Sequence, residues 1–254
     1  MVIKTENMEK VESLFAGWQE TLIWSCLQKV MGDIYICSEE NPQSAMAVLG
    51  DFCFFAGKPE EELVQYKKKG TLPDFLIMIP QNEAWAELIL SAYKEKSQRR
   101  TRYAIKKEPN VFDQSKLEAA ILSLSPEYSV AMMDEGLFYK CRENAWSRDL
   151  ISQYETYESY QKLGIGALIL KDGEPVSGAS SYSRYREGIE IEVDTKEEYR
   201  RKGLAYACAA KLILECLKRN LYPSWDAQNL WSVGLAEKLG YHYDHDYTAI
   251  EVWS

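Results

Sequence analysis

Ile189, Ile191 and Val193 alternate with Glu190, Glu192 and Asp194, the two-residue period of a strand with one apolar and one acidic face. A charged turn follows, and then residues 203–219 repeat apolar positions at helical spacing. The same reading applied along the chain predicts mixed α and β structure throughout. In the first half, 6–16 has helical character. Segments 21–28, 33–37 and 45–56 are rich in strand formers, 75–79 is a short buried strand, and 102–107 is a further strand before Pro109. Helices are predicted over 60–69, opened by Pro59, and over 82–96, with Asn82 as N-cap.

The second half has a definite order. After a helix at 114–125 come a strand at 128–133, helices at 137–144 and 148–163, and strands at 166–171, 176–185 and 188–194. Lys171-Asp172-Gly173 carries the Asp-Gly hairpin signal. The helix at 203–219 leads to a strand at 222–226 and a helix at 229–239 ending on Gly240; strands at 241–244 and 247–253 close the chain.

With 254 residues, one large domain or two small ones fit at ~150 residues per domain. A boundary is placed at 126, separating an N-terminal α/β domain (1–126) from a second domain (127–254). The balance of 39 acidic against 30 basic residues gives a net charge of −9. That argues against nucleic acid as the main partner and is mildly compatible with a cationic small substrate, although solubility alone is the plainer reading. No apolar run approaches the ~20 residues of a membrane span, and the N-terminus has no hydrophobic signal region, so a cytoplasmic protein without a membrane partner is expected. The six cysteines form no C-x-x-C pair and the two histidines, His242 and His245, read as surface residues, so no metal is expected. Most of the cysteines lie in apolar strand or helix patterns and read as small buried hydrophobes.

The chemistry concentrates at Arg200-Arg201-Lys202-Gly203-Leu204-Ala205, where a strand passes into a helix. Free N–H groups at a helix start attract anions, and Gly203 lets a phosphate approach the backbone. A solvated basic turn is the plainer alternative. This segment resembles the (Gln/Arg)-x-x-Gly-x-(Gly/Ala) motif of the GNAT superfamily of N-acetyltransferases. Trp225-Asp226-Ala227-Gln228-Asn229, Ser232 and Leu235-Ala236-Glu237-Lys238-Leu239-Gly240-Tyr241 resemble its second motif. The element order from 127 to 254 is similar too. Within the superfamily the chain is most similar to the two-part group that includes zwittermicin-type antibiotic-resistance acetyltransferases.

The resemblance implies an α/β (α+β) fold, with a mixed, mainly antiparallel sheet flanked by helices. The first half, with its helix–strand–helix–strand run from 60 to 107, would be a degenerate GNAT-like half. The resemblance also implies acetyl-CoA as co-substrate and direct acetyl transfer to a primary amine of a small molecule. Backbone groups of Val193 and Thr195 would pair with the pantetheine arm, the N–H groups of Arg201, Lys202, Gly203, Leu204, Ala205 and Tyr206 would face the pyrophosphate beside Arg200, and Asn229 and Ser232 would meet the cofactor arm. Glu190 and Glu192 are the candidate bases, with Glu192 preferred for its closeness to Val193; an ordinary solvent-facing alternation is the other reading. Tyr154, Tyr157 and Tyr160 either line an acceptor pocket or pack. Where many members carry a Tyr as general acid, this chain has Ala236. That departure keeps a non-catalytic CoA-binding or scaffold protein open, and a homodimer stays open as a partner state.

Overall fold

The computed structural model describes residues 1–66 and 74–253. In chain order its elements are β1 (Ile3–Thr5), α1 (Thr21–Leu27), β2 (Asp33–Ile36), β3 (Ser44–Leu49), β4 (Phe52–Gly57), α2 (Glu61–Val64), β5 (Phe75–Pro80), α3 (Glu83–Tyr93) and β6 (Ser97–Ile105). There follow α4 (Gln114–Leu122), β7 (Tyr128–Met132), α5 (Glu135–Glu143), α6 (Tyr157–Leu163), β8 (Gly166–Lys171), β9 (Glu174–Tyr185) and β10 (Gly188–Thr195). The chain ends with α7 (Leu204–Lys218), β11 (Tyr222–Ser224), β12 (Asp226–Ala227), α8 (Leu230–Leu239) and β13 (Tyr243–Trp253). The fold is mixed α/β with mainly antiparallel sheets.

Two compact units divide the chain: Met1–Arg102 with Asp246–Ser254, and Tyr103–His245. The divisions fall inside β6 and β13, away from the boundary read at 126. The physical reason is α4: its Leu117 and Ala120 are buried in one core with Leu212, Ile213 and Cys216 of α7, so residues 114–122 belong to the second unit.

The first unit has the strand order β1-β2-β3-β4-β5, continued by the 250–253 part of β13 against β5. All of these neighbours are antiparallel except β4 and β5. Trp85 on α3 is fully buried among Phe55, Leu63 and Met78, and its indole N–H donates to the Gly57 carbonyl at 2.9 Å. Asn82 caps α3 as expected, accepting from the Trp85 N–H at 3.2 Å.

The second unit is built on the sheet β11-β10-β9-β8-β7. Its neighbours are antiparallel except β10 and β11, which run parallel. The predicted hairpin between β8 and β9 forms, with Asp172 at φ +52° and Gly173 at φ +79°. Helix α7 covers the sheet: Ala207, Cys208, Leu212 and Ile213 pack with Ile169, Ala179, Ile189 and Ile191 in one buried core.

Several local expectations are corrected. Residues 21–28 form α1 rather than a strand, because Leu22, Ile23, Ser25 and Cys26 are all buried and burial does not alternate. Residues 6–16 form two short 3₁₀ turns, Met8–Lys10 and Glu12–Phe15. The helix at 60–69 is confined to α2 within the described residues, and 67–69 lie outside them. The predicted helix 148–163 is broken. Leu150, Ile151 and Tyr154 are buried from a 3₁₀ turn and the irregular segment after it, and Thr156 restarts the chain as N-cap of α6 in a capping box. The strand 222–226 splits at Trp225, which is buried, and the closing strand pair is one continuous β13.

Candidate active site

The geometry starts where β10 and β11 part. They pair only over Gly188–Glu190 against Tyr222–Ser224. Beyond that point β11 gives way to β12, which pairs with Tyr103 and Ala104 of β6. Among the described residues, Ile191–Thr195 therefore pair on the β9 side alone. The other edge of β10 offers its backbone N–H and C=O groups to an extended ligand.

Helix α7 begins just beyond this edge. Within the second unit, α4, α5, α6 and α8 all start on a side-chain cap, supplied by Asp113, Asp134, Thr156 and Asn229. Helix α7, the longest, starts on Gly203 with no side-chain cap. Its first bond back to the cap is Ala207 N–H to Gly203 O at 3.1 Å, so the N–H groups of the first turn precede the helical ladder. Arg201 and Gly203 both lie in the left-handed region, at φ +61° and +78°. A bulky L-residue is strained there, and such turns gather successive N–H groups into an anion-binding concavity. Among the described residues, no atom beyond its chain neighbours lies within 4 Å of where a Cβ on Gly203 would stand, so nothing described there blocks the approach to the turn. The residues fit the pyrophosphate of a CoA thioester.

The cations around this turn are only partly tied down. Arg200 donates through Nε to the Thr195 carbonyl at 3.0 Å and its Nη2 lies 3.6 Å from the Asp194 carboxylate. Arg201 and Lys202 are exposed. The Lys202 ammonium stands 4.8 Å from the Tyr199 ring centre, a cation–π contact. Val193 is half-buried against the core, Leu204 is buried in it, and Ala205 and Tyr206 are half-buried. Thr195 is buried, and its hydroxyl shares a 2.7 Å hydrogen bond with that of Ser177. Asn229 and Ser232 serve the local fold directly. Asn229 accepts from the Ser232 N–H at 3.0 Å, and Ser232 Oγ accepts from the Trp225 indole N–H at 3.0 Å.

The two glutamates differ. Glu190 is only 7% exposed, whereas Glu192 is half-buried, so the solvent-facing alternation does not describe Glu190. Glu190 stands opposite Ser183 on β9 and Glu192 opposite Ser180. A bulge between Glu190 and Ile191 lets two serines three residues apart face two glutamates two residues apart. Ser180 is occupied by the Tyr160 hydroxyl at 2.8 Å, and Ser181 by that of Tyr154 at 2.9 Å. Both tyrosines are buried packing residues. Tyr185 bonds Ser224 at 2.9 Å, and Tyr241 donates to the Pro223 carbonyl. Burial pushes the hydroxyl pKa values of Tyr185, Tyr222 and Tyr241 up, and the nearby Glu190 charge adds to each rise. Sequence reasoning missed this polar cluster. Its trace is the run Ser177, Ser180, Ser181, Ser183 inside one strand.

These features have relatives. The family model for GNAT acetyltransferases matches residues 12–250. The chain belongs to the GNAT acetyltransferase family. An uncharacterized N-acetyltransferase of Bacillus subtilis (strain 168), YdfB, is 26% identical over 246 residues, covering 90% of this chain and 88% of its own. A GCN5-related N-acetyltransferase-like protein from Streptococcus suis 89/1591 has a crystal structure 46% identical to this chain. It superposes with a TM-score of 0.91 over 97% of this chain and 98% of that one. A tandem GNAT protein from the clavulanic acid biosynthesis pathway shares only 8% identity, with a TM-score of 0.56 over 100% of this chain and 98% of that one, a likeness of fold alone. Ala236, at the position where many GNAT members carry the acid, is fully buried in the core.

Proposed function

We propose that this GNAT protein transfers the acetyl group of acetyl-CoA directly to a primary amine of a small molecule. The observation that carries this is the uncapped start of α7 at Gly203, set at the end of a strand whose outer edge is open over Ile191–Thr195. The backbone of Val193 and Thr195 takes the pantetheine arm. The N–H groups from Arg201 to Tyr206 take the pyrophosphate, with Arg200, Arg201 and Lys202 supplying positive charge. A backbone N–H near Val193 polarises the thioester carbonyl. Asn229 and Ser232 shape the end of α8 that meets the arm.

The amine nitrogen attacks the thioester carbon, the carbon–sulfur bond breaks, and the amine proton passes to a carboxylate. Glu190 takes that role, because it is buried at the parting of β10 and β11; Glu192, beside it on the same face, contributes to the field that attracts the cation. With Ala236 sealed in the core, the thiolate leaves with a proton from elsewhere, water being the simplest source. The first unit carries no chemistry in this reading and is a degenerate GNAT-like half. The resemblance to the zwittermicin-resistance group, together with the net charge of −9, directs the search for acceptors to cationic amines.

Thiol release from acetyl-CoA, measured against a panel of simple amines, polyamines and amino-sugar antibiotics, tests the reading. Release that depends on an amine, with the acetylated amine found by mass spectrometry, supports it. Tight CoA binding without release on any amine would favour a non-catalytic CoA-binding protein.

A further inference from the structure

Among the described residues, one of the two serines that face the glutamates has a hydrogen-bond partner for its hydroxyl and one does not. Ser180 is bonded to Tyr160. Ser183 is 0% exposed, and its hydroxyl has no hydrogen-bond partner among the described residues. A buried hydroxyl without a partner costs stability, and native proteins keep one where a bound group or water completes it. Ser183 is the residue directly opposite Glu190, so the two side chains leave the sheet on the same face, about 5 Å apart at Cβ. Ser224 of β11 stands on the other side of Glu190 and is already engaged by the Tyr185 hydroxyl. The one open hydroxyl of the group therefore lies beside the carboxylate, at the strand pair from which β11 departs.

We propose that Ser183 and Glu190 together dock the acceptor's amino group, with the Ser183 oxygen accepting one N–H and the Glu190 carboxylate another. The chemistry suits this ligand. A primary ammonium brings three N–H donors and no acceptor, whereas the site offers a carboxylate, which only accepts, and a hydroxyl with two lone pairs. An acceptor hydroxyl or carboxylate would fit it less well. Ser183 thereby favours amines with at least two N–H groups and orients the nitrogen above β10. The inference rests on the functional reading above, because it names the group that the same site recognises.

Two measurements test it, one of them independent of turnover. Thermal melts of wild type, Ser183→Ala and Ser183→Cys are compared in methylammonium chloride and in potassium chloride at equal ionic strength. Methylammonium should raise the melting temperature of wild type and not of either variant. Ser183→Ala should melt no lower than wild type in potassium chloride, since it removes a hydroxyl that has no hydrogen-bond partner among the described residues. An equal response of all three proteins to methylammonium, no response of wild type, or a lower melting temperature of Ser183→Ala in potassium chloride overturns the proposal. In turnover, Ser183→Ala should raise KM for the amine by about tenfold or more and leave KM for acetyl-CoA unchanged. A change in the acetyl-CoA constant alone would contradict it. A wild type that binds methylammonium through Ser183 but acetylates no amine would keep the site and refute the transfer reaction instead.

Discussion

The indole N–H of Trp225 donates to Ser232 Oγ at 3.0 Å, tying the end of β11 to the first turn of α8. The Ser232 N–H in turn donates to the Asn229 cap at 3.0 Å. Ser232→Ala and Asn229→Ala should each cost about 1 kcal/mol of stability, the ordinary worth of such a bond and such a cap. Urea denaturation checks this. A loss of CoA affinity with unchanged stability would mean that these residues bind the cofactor arm without holding the helix.

Asp194 gives a pH-dependent prediction. Burial raises its carboxyl above the ordinary value, against the Thr195 N–H and Arg200, which lower it. The folded state then holds the proton more tightly than the unfolded chain does. Its contribution to stability is present below the unfolded value of about 3.9 and is lost as pH rises through the folded value. Asp194→Asn should therefore gain on wild type between pH 3.5 and pH 7 in parallel denaturation curves. The opposite trend would mean that Arg200 dominates.

The glutamates separate by rate. A lysine-like amine with a pKa near ~10.4 is almost wholly protonated at pH 7. Glu190→Gln should lower turnover by about 10²–10⁴-fold at pH 7, recovering in part as pH rises, with CoA affinity nearly intact. Glu192→Gln should have the smaller effect. Wild-type turnover in both variants and in the double variant from pH 6 to 9 would exclude both as the base.

Thiol chemistry should be silent in the native protein. Five of the six cysteines are buried and Cys37 is half-buried. Burial pushes Cys26 and Cys216 to about 12 and Cys141 to about 11, and raises Cys53 and Cys208 further. A disulfide reagent at pH 8 should label at most Cys37 until denaturant is added. Rapid labelling of a second thiol would show that the packing around that cysteine opens.

The second unit was largely legible in the sequence, because its signals are local and agree with one another. Alternation marks β10, Asp172-Gly173 marks the hairpin, and Asn229 and Gly240 mark the ends of α8. The turn proposed for the pyrophosphate stands out for the same reason: Gly203 and the three cations before it are consecutive. What could not be read depends on contacts between distant residues. Residues 21–28 favour strand locally and are overruled by burial, and 114–122 join the second unit through the core they share with α7. The bulge at Glu190 is likewise invisible in composition, yet it decides that Ser183 and Ser180 face the glutamates.

Calorimetric titration of CoA into wild type, Gly203→Ala and Gly203→Glu tests the central claim most directly. The space around Gly203 is open, so Gly203→Ala should lose only about 1 kcal/mol of stability to its positive φ and bind CoA within a few-fold of wild type. Gly203→Glu adds a side chain and a negative charge at the start of α7. We expect one site per chain in wild type and a dissociation constant about 100-fold or more higher in Gly203→Glu, an effect of about 2.7 kcal/mol. Equal CoA affinity in folded wild type and folded Gly203→Glu would contradict the placement of the pyrophosphate at this helix, and with it the functional site built on Gly203 and the open edge of β10.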